Sequence, residues 1–139
     1  MNVLLDTNVL SEVRRPAPDP KVLAWLDTID EDRAFISVAS IAELRRGIAL
    51  MEQGRRRAAL TVWLGTDLPA RFAGRILPID PAVAERWGDL MAQARRSGFA
   101  LAAATALAHA LVLSTRNSKD FAPLGVPIFN PWTDGGEPT

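Results

Sequence analysis

Residues 1–10 read MNVLLDTNVL, in which an apolar run ends on Asp6, Thr7 and Asn8. The three apolar residues Val3–Leu5 predict a short buried strand. A carboxylate directly after such a strand lies at its carboxyl end, which is where open α/β sheets bind their ligands. Asp and Asn side chains also cap turns, so this stretch alone leaves a ligand site and a turn as equal alternatives.

Composition and charge limit the classes of protein to consider. The chain has 139 residues, of which 48% are hydrophobic and 23% charged, as is typical of one soluble globular domain. Basic and acidic residues number 16 each, so net charge does not indicate a nucleic-acid-binding surface. Cysteine is absent and we find neither a signal peptide nor a membrane-spanning run, so we expect a cytoplasmic protein. We expect residues 1–132 to form the domain and residues 133–139 a flexible C-terminal tail.

Strand-like and helix-like segments alternate along the rest of the chain. Asp19-Pro20 and Asp80-Pro81 are typical helix starts, because Asp caps a helix and proline fits its first turn. Strands that alternate with helices predict the α/β class, a parallel sheet with helices on both faces. Four further short strands are predicted, at Ala34–Val38, Arg75–Ile79, Leu111–Thr115 and Val126–Phe129.

Three carboxylates follow predicted strands of this sheet. Asp6 follows the first strand, Glu43 lies in the helix after the second, and Asp120 lies in the loop after Leu111–Thr115. Because the carboxyl ends of parallel strands open on one edge, we expect the three carboxylates to converge there. Clustered carboxylates are tolerated when a cation lies between them, and oxygen ligands favour Mg²⁺ or Mn²⁺ over zinc.

Each of these residues has a structural alternative. Ser40 and Glu43 fit a capping box, in which the glutamate would only satisfy the start of the helix. Asp120 and Asn117 are both natural turn residues. The residues alone therefore leave the metal site as one of two interpretations.

Five segments between residues 2 and 132 together resemble PIN-domain ribonucleases, specifically the VapC toxins of the FitB-like branch: LLDTNVLSE, ISVASIAELRRGI, RFAGRILPID, AATALAHALVLSTRN and NPW. The resemblance implies an α/β/α sandwich with a central parallel sheet of about four to five short strands. It implies an endoribonuclease that depends on Mg²⁺, or on Mn²⁺, and hydrolyses RNA with metal-activated water.

The same resemblance implies partners. The chain would be the toxin of a type II toxin–antitoxin system, inhibited by a small cognate antitoxin. It would form a homodimer and a hetero-oligomer with the antitoxin, and contact operator DNA only through the antitoxin. RNA would be its substrate, and no membrane would be involved.

The resemblance also implies site residues. Asp6 and Glu43 match the first two acids of the family, and the last acid falls within the segment TRNSKDF. We assign that last acid to Asp120, with Asn117 assisting. The predicted catalytic residues are therefore Asp6, Glu43, Asn117 and Asp120, and the predicted metal ligands are Asp6, Glu43 and Asp120.

One acidic position implied by the family is missing. Another Asp is expected just before the AATA segment, but here Gly98 is followed by FALAAATA and Phe99 occupies the expected place. Either this ligand has been lost, or several residues are missing from the sequence between Leu101 and Ala102, and we expect the second. Loss of the ligand would favour a catalytically inactive PIN-fold module that only binds protein. A haloacid-dehalogenase-type phosphatase is a further alternative, although it needs a second Asp where Asn8 stands.

Overall fold

Five parallel strands form the central sheet in the computed structural model, which describes residues 1–93 and 97–134. The strand order is β3-β2-β1-β4-β5, so the first strand lies in the centre. The predicted parallel α/β sheet of four to five strands is confirmed, and all strands but the first are shorter than predicted. Their bounds are β1 Val3–Leu5, β2 Ala34–Ser37, β3 Ile76–Leu77, β4 Val112–Ser114 and β5 Ile128–Phe129.

Helices connect the strands and cover both faces of the sheet. A π-helical turn at Trp63–Asp67 joins two of them, and 3₁₀ turns cover Glu31–Arg33 and Ala122–Leu124. Within residues 1–93 and 97–134, no helix is both long and apolar enough to span a bilayer. The helices are α1 Thr7–Glu12, α2 Pro20–Thr28, α3 Val38–Ala49, α4 Arg55–Val62, α5 Leu68–Arg71, α6 Pro81–Gln93, α7 Ser97–Ala108 and α8 Ser118–Phe121.

Two helices begin at the Asp-Pro pairs, as predicted. The Asp19 carboxylate accepts a hydrogen bond from the backbone N–H of Lys21 at 2.8 Å, and proline is the first residue of α2. The Asp80 carboxylate accepts one from the N–H of Val83 at 2.9 Å, and α6 also begins with proline. Both aspartates satisfy N–H groups that the first helical turn would otherwise leave unpaired.

The start of α3 decides between the two interpretations of Glu43. Ser37 caps this helix, because its hydroxyl accepts a hydrogen bond from the backbone N–H of Ser40 at 3.2 Å. A capping box would need a glutamate at position 40, three residues after the cap, and a serine stands there. The capping-box interpretation of Glu43 is therefore wrong.

The side chains of β1 alternate between two apolar clusters. Val3 and Leu5 pack on one side of the sheet, with residues such as Val22 of α2. Leu4 packs on the other side, with residues that include Val83 of α6 and Phe121 of α8. Burial on both faces is why this strand is a continuous apolar run and shows no polar alternation.

The segment with the missing acid folds as an uninterrupted helix. Helix α7 runs through Leu101 and Ala102, and the full sequence has 139 residues. The expectation that residues are missing at this point is therefore wrong, and the acid is absent from the protein. Phe99 packs edge-on against Phe121, with the ring centroids 5.1 Å apart.

Of the predicted C-terminal tail, residues 135–139 lie outside the described residues, so the tail stays a prediction.

We expect the central sheet to dominate stability. Leu113 of β4 is fully buried, whereas Leu50 is 70% exposed at the end of α3. Leu113→Ala should lower the free energy of unfolding by about 2–5 kcal/mol, because it removes buried apolar surface and leaves a cavity. Leu50→Ala is the matched control and should change it by less than about 0.5 kcal/mol. Equal effects of the two substitutions in urea unfolding would contradict this assignment of the core.

Candidate active site

A cleft of about 570 Å³ is lined by residues that follow the carboxyl ends of β1 and β4. Polar and charged side chains from several elements meet there, together with aromatic ones. The charged residues are three carboxylates and two arginines: Asp6, Glu12, Glu43, Arg15 and Arg116. This is the edge of a parallel sheet at which α/β proteins bind ligands.

Asp6 is held in place through both of its carboxylate oxygens. Oδ1 accepts a hydrogen bond from the backbone N–H of Thr7 at 2.9 Å, which caps the start of α1. Oδ2 accepts one from the hydroxyl of Thr115 at 2.8 Å. Desolvation by burial raises the pKa of Asp6, and these two hydrogen bonds oppose that rise only in part. Asp6 is thus a fixed carboxylate for which ionisation is costly without a cation.

Thr115 links the two central strands at the cleft, a role that the sequence did not indicate. Its hydroxyl donates to Asp6 and accepts from the side-chain amide of Asn8 at 3.2 Å and from the backbone N–H of Asn117 at 3.1 Å. The backbone N–H of Arg116 in turn donates to Oδ1 of Asn8 at 3.3 Å. The loop after β4 is therefore fixed to the start of α1.

Glu43 supplies the second carboxylate from α3. Glu43 is an exposed residue, but partial desolvation of its carboxyl group raises the pKa. A hydrogen bond with the Thr7 side chain lowers that pKa, and the nearby negative charge of Asp6 raises it further. The hydroxyl groups of Thr7 and Ser40 are also within hydrogen-bond distance, 2.9 Å apart, which joins α1 to α3. Two carboxylates that repel each other in one cleft favour a bound cation.

The cleft contains three of the four predicted catalytic residues. Asp6, Glu43 and Asn117 line it, whereas Asp120 is exposed on α8 and is not among the lining residues. In the described part of the chain, no three Asp, Glu, His or Cys residues form a group able to hold a metal. The three predicted carboxylates do not form one group in this structure, and their assignment as metal ligands stays a prediction. Asn117 directly precedes the short helix α8, whereas Asp120 lies within that helix.

Sequence reasoning missed Glu12 and its partner Arg15. Glu12 is buried, and its carboxylate accepts hydrogen bonds from Nη1 of Arg15 at 3.3 Å and from the backbone N–H of Asp19 at 2.8 Å. A signal was present, because Glu12 lies three residues after Val9 on the buried side of α1. An acidic residue at an apolar helix position needs such a partner.

The carboxylate pair fits one magnesium ion. Mg²⁺ in proteins usually keeps several waters and binds one or two carboxylates together with substrate phosphates. Asp6 and Glu43 supply that number, and both have raised pKa values that a nearby positive charge would relieve. The other two predicted residues add no further carboxylate to the cleft lining, because Asn117 has an amide and Asp120 does not line the cleft.

Comparison with known proteins identifies the family. Residues 3–125 match the PIN domain. The chain belongs to the PIN-domain family. Toxin FitB of Neisseria gonorrhoeae is similar to this PIN-domain chain, with 40% identity over 138 residues that cover 95% of the chain and 99% of FitB. VapC ribonuclease Y4jK of Sinorhizobium fredii is 40% identical over 136 residues, covering 94% of the chain and 97% of the relative.

Solved structures agree with this assignment. FitAcB from Neisseria gonorrhoeae has a TM-score of 0.88 and 37% identity, covering 94% of this chain and 99% of the FitAcB chain. FitAB bound to a DNA fragment has a TM-score of 0.86 and 35% identity, and the match covers 94% of this chain and 95% of the FitAB chain. The resemblance to the FitB-like branch is confirmed, and the phosphatase alternative is wrong.

The PIN-domain relatives are also longer over the matched region. The match to Toxin FitB spans 138 positions but covers only 95% of the 139-residue chain, so several of its positions have no counterpart here.

We expect added MgCl₂ to raise the melting temperature of this protein, because an ion that binds only the native state stabilises it. Asp6→Asn and Glu43→Gln should each abolish the rise. Asp89→Asn, an exposed position on α6, is the matched control. The pKa values of Asp6 and Glu43 are raised. Protons should therefore displace the ion from these two carboxyl groups at a higher pH than from carboxyl groups with ordinary pKa values.

The same measurement tests Asp120, whose role as a ligand stays a prediction. If Asp120→Asn keeps the full magnesium response, its carboxylate is not a ligand. If it loses the response, α8 contributes to the site. A full response in Asp6→Asn would contradict the metal site itself.

Proposed function

We propose that this PIN-domain protein is the toxin of a type II toxin–antitoxin system and hydrolyses RNA phosphodiester bonds as a magnesium-dependent endoribonuclease, with Mn²⁺ as the alternative ion. The observation that carries the proposal is the pair of carboxylates with raised pKa values, Asp6 and Glu43, at the carboxyl edge of the sheet. The names of relatives that are 40% identical, Toxin FitB and VapC ribonuclease, support it.

The residues of the cleft would have different roles in hydrolysis. Asp6 and Glu43 would hold the ion, which would lower the pKa of a bound water and neutralise charge on the transferring phosphoryl group. Thr115 and the N–H of Thr7 fix the direction of the Asp6 carboxylate. No histidine or lysine is found among the described residues that line the cleft.

One observation favours a second candidate function. The cleft has two carboxylates from the predicted set, and Phe99 stands where the family implies another. A site with fewer ligands binds an ion more weakly, so the chain would then be an inactive PIN module that acts through protein binding. Metal-dependent cleavage separates the two candidates.

We expect the purified protein to cleave single-stranded or structured RNA when Mg²⁺ or Mn²⁺ is present and not when the ion is chelated. Asp6→Asn should reduce the cleavage rate by about 100-fold or more, because even indirect contacts to a metal site contribute about 10–100-fold. Asp89→Asn should cleave like the original protein. Absence of cleavage with both ions, in folded protein, would reject the nuclease and favour the binding module.

We further propose a small antitoxin as the partner, with operator DNA contacted only through it and a homodimer as the toxin assembly. A second cleft of about 620 Å³ provides a mainly apolar surface between α1, α2 and the α4–α5 segment. Apolar grooves of this kind accept one face of an amphipathic helix. Its lining includes Leu23, Leu26, Trp63 and Phe72. The cytoplasmic location expected from the sequence stays a prediction.

Leu23→Glu should weaken copurification of the antitoxin encoded beside this protein, because Leu23 lines the apolar groove and is 38% exposed. Val62→Glu is the matched control, since Val62 is 58% exposed and does not line the groove. Both variants should keep the melting temperature. Equal loss of the antitoxin from both, or from neither, would place the partner elsewhere.

A further inference from the structure

Two arginines line the cleft beside the carboxylates, and neither belongs to the predicted catalytic set. Arg15 follows α1, and Arg116 lies in the loop after β4. A nucleic-acid backbone that approaches Asp6 and Glu43 meets like charge, which opposes binding. Cationic groups in the same cleft would offset that repulsion.

The ion pair with Glu12 holds Arg15 in place and leaves most of its N–H donors without a partner in that pair. Its Nη1 donates to Oε1 of Glu12 at 3.3 Å, and that carboxylate is only 4% exposed, whereas the Arg15 side chain is 59% exposed. The other oxygen of Glu12 accepts from the backbone N–H of Asp19, so the carboxylate itself is fixed. A guanidinium carries five N–H donors, and the contact with Glu12 uses one of them. Arg15 therefore presents a held cation with further donors toward the cleft.

Arg116 is fixed in a different way. Its backbone N–H donates to Oδ1 of Asn8, and its carbonyl accepts from the side-chain amide of Asn130 at 3.3 Å. The guanidinium lies over the Trp132 ring, 5.3 Å from the centroid. A cation–π contact uses the face of the guanidinium and leaves the N–H groups on its edges for hydrogen bonds.

We propose that Arg15 and Arg116 bind two phosphates of a single-stranded RNA that crosses the cleft, and so position the backbone against Asp6 and Glu43. Planar guanidinium groups match phosphate oxygens in geometry and charge. Because both side chains are held before binding, less conformational entropy is lost when the RNA binds. The substrate class rests on the proposed function, whereas the phosphate contacts are tested by binding alone.

The test measures binding of a fluorescently labelled single-stranded RNA of mixed sequence to the Asp6→Asn protein, so that cleavage does not interfere. Arg15→Ala and Arg116→Ala should each weaken binding by about tenfold at low salt. Each should also reduce the slope of log affinity against log salt by about 0.7, the value for one lost phosphate contact on a single strand. Arg14→Ala is the matched control, because Arg14 lies over the Trp63 ring and does not line this cleft.

A conservative variant separates phosphate binding from support of the fold. Arg15→Ala leaves the buried Glu12 without its cation, so Arg15→Lys, which retains the charge, is measured beside it, with the melting temperature of each variant. Arg15→Lys should keep the salt slope and lose affinity, because lysine lacks the planar fork. In protein with intact Asp6, both alanine variants should raise KM more than they lower kcat.

The outcomes distinguish this inference from the proposed function. If Arg15→Ala and Arg116→Ala bind RNA like Arg14→Ala, or if neither the Asp6→Asn protein nor the original protein binds RNA, the inference is overturned. If cleavage is absent in the original protein but binding still depends on both arginines, the nuclease fails and the phosphate contacts stand. If cleavage is present and independent of both arginines, the nuclease stands and the inference fails.

Discussion

The hydrogen bond from the Thr115 hydroxyl to Asp6, 2.8 Å long, joins the ends of the two strands at the centre of the sheet. It exists because Leu5 of β1 is paired with Ser114 of β4, which places the next residue of each strand side by side. Burial of β1 on both faces fixes that register, since a shift by one residue would exchange the side chains that face each apolar cluster. The direction of the central carboxylate is therefore a consequence of core packing.

Burial of the Asp6 carboxyl group lowers the stability of the fold when this group ionises. At pH values below the ordinary pKa of 3.8, Asp6 is protonated in the folded and the unfolded chain alike and its ionisation contributes nothing. As the pH rises, the unfolded chain ionises first, because burial raises the pKa in the native state, and the native state loses stability until its own carboxyl has ionised. Partial desolvation, and to a smaller extent repulsion by Asp6, also raises the pKa of Glu43. A cation between the two would reverse this cost, as is typical of functional sites.

Local signals explain which features the sequence predicted. The strands and the two Asp-Pro helix starts depend on neighbouring residues, and Asp6 was found because it follows an apolar run. Glu43 stayed ambiguous because two serines three residues apart both fit a helix cap, and only the structure selects Ser37. Arg116 was not predicted, since its anchors Asn8 and Trp132 are distant in sequence. The position of Asp120 depends on where the chain turns after Asn117, and no local pattern fixes that direction.

Phe99 stands where the resemblance implies a further acid, and this affects the balance of charge in the cleft. Phe99 now packs on Phe121, where it joins α7 to α8 through an apolar contact. Asp6 and Glu43 remain as the carboxylates beside each other, while Glu12 is already paired with Arg15. A carboxylate pair leaves most positions around a magnesium ion to water and to substrate phosphate. In such a site the ion and the RNA would support each other's binding, because phosphate groups would replace ligands that the protein lacks. Arginines that hold phosphates in the cleft would then contribute more to RNA binding than they would in a site with a larger set of acids.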